Sequence, residues 1–413
     1  MQAIVSVGVE VKEHEEVTRD LASTCCTMEA GSGAAIVPSF IAAKTLLTTT
    51  QKMANLLPLG QGPKVVVYHQ THHGPNNGPP VSLLPLITNN TGVTHVIVAA
   101  IHLNDPAGHI TINDDHPEHE KYGTLYGEMA WLQASGVKIL GMLGGAAKGS
   151  YERLDGADTE KFEAYYGPLR DMLRKHNYDG LDLDIEESMS LTGVIRLIDR
   201  LRADFGPNFL ITMAPVATAL LPNQPHLSGP IEYRLLEQMR GHEIAWYNTQ
   251  FYCGWGDPST TFWYDAIIGL GWRADKVVMG LVTNPSNGAG HVDWPVMENV
   301  LRTLRARYPN FGGVMGWEYF NALPGGSERP WEWAANMGRV LRTPLPISAP
   351  QQQMPIRPYG MGAPQQLPPP QHAFPAESVK TLQDLGFSQQ QAIAALNSTG
   401  GNVEYAAGLL FQD

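Results

Sequence analysis

The chain has 413 residues, 43% of them hydrophobic, and a formal net charge of −12. That suits a packed globular protein with a large domain and a smaller companion. With no basic stripe to replace phosphate counterions, it argues against a nucleic-acid role and fits action on neutral ligands. Three cysteines, Cys25, Cys26 and Cys253, two of them neighbours, imply no disulfide framework. The opening "MQAIVSVGVEVKEHEEV" lacks the basic start, apolar core and cleavage site of an export signal, and no apolar run approaches the ~20 residues of a membrane span, so a cytoplasmic protein is expected.

Residues 1–63 mix a Gly/Ser/Ala patch with a helix-like piece and carry no assignable function. Over 64–342, eight short β-branched runs alternate with helical patterns: "KVVVYH", "VTHVIVAAI", "VKILGML", "YDGLDLDIE", "FLITMAP", "AWYNTQFY", "KVVMGLV" and "GGVMGWEY". Strands separated by helix-length connections predict parallel pairing with right-handed crossovers, and a span of about 250 residues or more is the size of an α/β (β/α)8 TIM barrel. An open doubly wound sheet is the competing architecture, but the Gly-rich phosphate fingerprint is missing. Residues 343–373 turn to Pro and Gln and read as an extended linker. Residues 374–413 return to helical periodicity in three pieces, "ESVKTLQDL", "SQQQAIAALNS" and "NVEYAAGLLF", a small three-helix module.

The fourth strand carries the chemistry. Side chains alternate along a strand, so Asp182, Asp184 and Glu186 share one face and Leu181, Leu183 and Ile185 the other. On a lone antiparallel strand the acids would simply face water. In a barrel the helices cover the outer face and take the leucines, leaving the acids inside, where burial and mutual repulsion push carboxyl pKa values up and some must share protons. Glu186, at the C-terminal end of the strand, becomes the candidate general acid, with Asp182 deeper. Asp179 and Gly180 are expected to shape the turn into the strand.

"DGLDLDIE", Asp179 to Glu186, matches in full the Asp-Gly-x-Asp-x-Asp-x-Glu signature and so resembles glycoside hydrolase family 18, the chitinases and related endo-β-N-acetylglucosaminidases. "KILGMLGG", "ITMAP", "QFY" and "GVMGWEY" fall in the family's order. The resemblance implies that Glu186 protonates the glycosidic oxygen, Asp184 holds the substrate's N-acetyl group, Asp182 supports Asp184, and Tyr252 binds the acetamide oxygen. The acetamide carbonyl is then the nucleophile, an exception to the two-carboxylate scheme. Gln250, Trp317, Met213 and Tyr68 are expected to contact substrate, Trp317 as an aromatic floor under a sugar. Met142 and Cys253 depart from the family pattern, where Ser and, in plant-type members, Asn are usual; both bear on pocket shape. No metal or cofactor is implied. His116 and His119 read as a solvated loop, and His72 and His73 as part of a Pro/Gly turn that could reach sugar.

The tail resembles a ubiquitin-associated (UBA) domain through "LGF", "AIAAL" and "GGNVEYAAGLL". That resemblance implies a ubiquitin-facing patch of Leu385, Gly386, Phe387, Leu409 and Leu410; Ser388 is placed to cap a helix. The expectation is a cytoplasmic glycosidase cleaving next to N-acetylglucosamine, on chitin-type chains or on the chitobiose core of N-glycans. The rival is a non-catalytic adaptor joining glycans to ubiquitin.

Overall fold

The computed structural model describes residues 62–76, 78–344, 376–384 and 387–398. Among the described residues there are nine strands: β1 (Lys64–His69), β2 (His95–Asn104), β3 (His109–Ile112), β4 (Lys138–Gly144), β5 (Gly180–Asp184), β6 (Leu210–Met213), β7 (Trp246–Gln250), β8 (Val277–Val282) and β9 (Gly313–Trp317). β1 pairs in parallel with both β2 and β9, so all the strands except β3 close into a parallel barrel, as expected. Each of the eight quoted runs supplies one barrel strand. β3 was not foreseen: it runs antiparallel to the overhanging end of β2, Asn104 against His109. Its "HITI" is too short for alternation to stand out.

Alternation sorts the strand residues into two layers. Val66, Tyr68, Ile97, Leu140, Met142, Trp246, Val278 and Met315 form a cluster in the barrel interior. Val65, Val67, Val96, Leu181, Leu183, Ile211 and Met279 form the larger core with the helices α1 (Pro85–Thr88), α2 (Gly123–Ala134), α3 (Ser150–Leu154), α4 (Thr159–Lys175), α5 (Leu191–Phe205), α6 (Tyr233–Arg240), α7 (Phe262–Gly269), α8 (Trp294–Arg307) and α9 (Trp331–Arg342).

Polar caps start the helices that follow the site strands. Asp158 accepts from Lys161 N at α4, and Ser190 from Gly193 N at α5. Asp155 in turn accepts the N–H of Ser190 at 2.8 Å, tying the segment after β5 to the one before α4.

Two further helices, α10 (Ala376–Asp384) and α11 (Gln389–Ser398), pack through Val379, Leu382, Ala392 and Leu396, all buried. Ser388 and Gln391 form a reciprocal cap: the Ser388 hydroxyl accepts from Gln391 N at 3.3 Å, and Gln391 Oε1 accepts from Ser388 N at 3.0 Å. The expectations for residues 1–61, for the linker over 345–373, for the third helix of the tail, and for Leu385, Gly386, Leu409 and Leu410 lie outside the described residues. Among the described residues no helix is long and apolar enough to cross a membrane.

Candidate active site

The motif on β5 acts along its whole length. Asp179, just before the strand, accepts from Lys138 Nζ at 2.7 Å, Gln133 Nε2 at 2.8 Å and Ile139 N at 3.0 Å, clamping β5 to β4 and α2. At Gly180 the neighbouring strand passes so close that a Cβ would lie 2.3 Å from Leu210 O, so a side chain is excluded. Leu181 and Leu183 then point to the helices, and Asp182 and Asp184 point inward.

Asp182 is wholly buried and caged by three donors from three strands. Tyr68 Oη donates to Oδ2 at 2.6 Å, while Thr212 Oγ1 at 2.5 Å and Asn248 Nδ2 at 3.0 Å donate to Oδ1. Burial raises its pKa, and the bonds from Thr212, Tyr68 and Asn248 pull it back. Asp184 is held well above the usual carboxylate range, first by burial and then by the charges of Glu186 and Asp182. Of the two buried aspartates, Asp184 takes the stronger upward push.

Glu186 lies beyond the strand end and is partly exposed. The Gln250 amide joins it to Asp184: Nε2 lies 3.1 Å from Glu186 Oε1, 3.3 Å from Asp184 Oδ1 and 2.9 Å from Ala214 O. Tyr252 packs in the interior cluster beside Val282, Met315 and the half-buried Trp317. Its phenol is pushed well up, by burial first and then by Asp184 and Glu186, so it keeps its proton. Trp317 meets the Tyr68 ring edge-on at 5.5 Å.

The β4–α3 loop closes over the column. Gly144 and Gly145 have φ of +91° and +87°; a Cβ on Gly144 would lie 2.5 Å from Asp184 O, and one on Gly145 2.9 Å from Met142 Cε. Glu187 turns away from Glu186 and accepts from Gly149 N and Tyr151 N, each at 2.8 Å, anchoring this loop. A polar cavity of about 840 Å³ adjoins it, lined by Gln70, His73, Asn104, Thr111, Asn113 and Lys148 among others. Its walls run from Gln70, whose N–H bonds Glu318 beside Trp317 at 3.0 Å, to Lys148 next to the Glu187 anchor.

Residues 64–287 match the family described as glycosyl hydrolases family 18. The chain belongs to this family. As a family 18 member it is a glycoside hydrolase of a family that binds N-acetylglucosamine-containing carbohydrates. It is 58% identical to the solved structure of chitinase ChiC from Aspergillus fumigatus, covering 67% of this chain and 98% of that one at a TM-score of 0.62. It is 47% identical to a fungal endo-β-N-acetylglucosaminidase of the same family, covering 68% and 98% at a TM-score of 0.65. Residues 374–410 match the UBA/TS-N domain, so the family 18 barrel is joined to a UBA domain. Over 40 residues the chain is 62% identical to DNA damage-inducible protein 1 of Kluyveromyces lactis, spanning 10% of that protein's length.

Within this family 18 site, two expected substrate contacts are corrected. Met213 is fully buried in the layer between barrel and helices; the inward residue of β6 is Thr212, which pairs in register with Asp182. Tyr68 is 1% exposed and spends its hydroxyl on Asp182, so it holds a carboxylate and does not line the sugar site. His72 is also packed away, with Nε2 3.0 Å from His69 O and burial lowering its pKa to about 4. His116 and His119 each accept a backbone N–H two residues on, as turn caps. Cys253 is exposed with φ of +55°, a left-handed conformation that Asn adopts more readily.

Reading strands one at a time missed Thr212, Asn248, Trp246 and Glu187. The first two reach Asp182 only once the barrel closes; the usable signal was polar residues inside "ITM" and "WYNTQ", whose strands otherwise read as buried.

Proposed function

We propose that this chain is a retaining glycosidase that hydrolyses β-1,4 bonds next to N-acetylglucosamine, in chitin or chitooligosaccharides, by substrate-assisted catalysis. The observation that carries this is the one-sidedness of the acids. Asp182 and Asp184 sit on one strand with Glu186 just beyond its end, and the nearby Glu187 and Glu318 are already committed to backbone N–H groups. A retaining scheme with a protein nucleophile needs a second carboxylate about 5–5.5 Å across the scissile bond. Glu187 and Glu318 are taken up by those bonds, and the remaining acids stand together on one side, which supports the substrate's own acetamide in that role.

In this scheme Glu186 gives its proton to the glycosidic oxygen as the C1–O bond breaks and the acetamide oxygen bonds to C1. Asp184 holds the acetamide N–H of the cyclic cation, and Tyr252 donates to its oxygen. Water then adds to C1, losing a proton to Glu186, while the acetamide oxygen leaves. Two inversions give net retention.

A second reading, cleavage within the N-glycan chitobiose core, is favoured by the polar cavity. Its Gln, Asn, Thr, Lys and His lining offers many hydrogen-bonding groups to branched hydroxyl-rich sugars, whereas stacking a linear chitin chain calls for Trp or Tyr platforms. The endo-β-N-acetylglucosaminidase relative supports the same reading.

Incubation with chitooligosaccharides and with a high-mannose glycoprotein, with products identified by mass and anomer by NMR, separates the readings. Chitooligosaccharide fragments formed first as the β-anomer support the first. Protein left carrying a single N-acetylglucosamine supports the second. Glycan bound without turnover by folded protein would replace both with the adaptor.

We also read the UBA domain as a ubiquitin-binding module. Full-length protein added to ¹⁵N-labelled ubiquitin is expected to shift a contiguous set of its resonances, and Phe387→Ala to remove the shifts. An unchanged ubiquitin spectrum sinks this reading.

A further inference from the structure

The cage around Asp182 contains one donor whose polarity needs explaining. The end of an Asn side chain can present oxygen or nitrogen, and geometry alone rarely separates them. At Asn248 the neighbour decides. Trp246 Nε1 lies 2.8 Å from Asn248 Oδ1, and an indole N–H can only donate. The other end of the amide, Nδ2, must then face Asp182 Oδ1, at 3.0 Å. That carboxylate oxygen, which also takes the Thr212 hydroxyl at 2.5 Å, is left as an acceptor.

We propose that Trp246 and Asn248 are positioning residues that keep Asp182 an anion, so that the proton shared along the acidic column stays with Asp184 and Glu186, nearest the substrate. This rests on the substrate-assisted reading above, and extends it two strands away from the motif. If the indole N–H is lost, the amide is free to turn and present its oxygen to Asp182 Oδ1. Two oxygens in contact at that distance require a proton between them, so Asp182 would take one up and the column would be mischarged.

The other ionisable groups around Asp182 do not offer an alternative switch. Asp184 follows it on its own strand, and Glu186 lies just beyond the strand's end. The phenols of Tyr68, Tyr151, Tyr233 and Tyr252, from β1, α3, α6 and the segment after β7, are kept neutral chiefly by burial. Below Trp246 stand the His95 ring, at 4.6 Å and lowered by burial to about 3, and Lys64 Nζ, 5.1 Å from the indole centroid and lowered by burial to about 8. Neither titrates in the range between them.

Trp246→Phe keeps an aromatic ring against His95 and removes the N–H along with part of the ring volume. In protein carrying ¹³C at its Asp carboxyls, with the Asp182 signal assigned by Asp182→Asn, the expected result is an Asp182 midpoint raised by about one pH unit, the size of one lost charge-assisted hydrogen bond. The acid limb of kcat/KM moves up with it, while the plateau KM stays near wild type. Asn248→Leu removes the donor outright and gives the same shift, so it carries the test should the Trp variant not fold. An unmoved midpoint in either folded variant overturns the proposal, as does a uniform loss of activity with no change in the pH profile. A wild type that turns over no glycan would defeat the functional reading instead, and the carboxyl titration would still judge this one.

Discussion

Glu186→Gln is expected to lower kcat by about 10²–10⁴-fold, the usual worth of a positioned general acid, with KM nearly unchanged. Glu186 Oε1 already accepts from the Gln250 amide at 3.1 Å, which leaves Oε2 to carry the proton toward the leaving group. Glutamine can keep the first bond through its own carbonyl but has no acidic proton to give. Binding through Tyr252 and Trp317 survives, so the loss falls on the bond-breaking step. A substrate with an activated aryl leaving group needs less protonation and should lose much less than a chitooligosaccharide. Kinetics on both substrates check this. Equal losses on the two, or a raised KM that accounts for the whole effect, would remove Glu186 from the role of acid.

The part of this site that was legible in sequence is the part written along one strand. "DGLDLD" alternates without interruption, so the face and order of Asp182 and Asp184 followed from the period alone, and the barrel supplied the direction. What lay across the barrel was not legible, because it depends on register between strands far apart in sequence. Met213 illustrates the cost: "LITM" has two possible phases, and only its pairing, Asp182 against Thr212 and Leu183 against Met213, sets which residues face in. Tyr68 failed in a related way. It faces the barrel interior but lies deep, beside Asp182, and depth decides whether a tyrosine meets sugar or carboxylate. Glu187 was invisible for a further reason. The strand ends at Asp184, so alternation no longer governs the residues beyond it, and Glu187 is free to swing onto the β4–α3 loop. The arm made by β3 had too few residues to show a period.

Asp184→Asn is expected to cost activity and add stability, and the two effects have one cause. In the folded state burial, then Glu186 and Asp182, hold the Asp184 pKa well above its value of about 3.9 in an unfolded chain. Between those two values the folded protein binds more protons than the unfolded chain, so its stability falls as pH rises. The contribution of Asp184 is fully present below the unfolded pKa and is lost as pH climbs through the folded one. Asparagine has nearly the same shape, can still accept from Gln250, and has no proton to lose across that window. Near pH 7 to 8 the variant should therefore be more stable by about 1–2 kcal/mol, or roughly 2–4 °C in Tm, and near pH 4 the two proteins should melt together. Its kcat should fall by about 10²–10³-fold, since the group that balances the cationic intermediate has lost its charge. Thermal melts at both pH values, beside kcat, make the test. A variant less stable than wild type at neutral pH would mean that the column is not under the electrostatic load described above. The opposite outcome ties the acid to the reaction, because a fold has no use of its own for a carboxyl buried against two others.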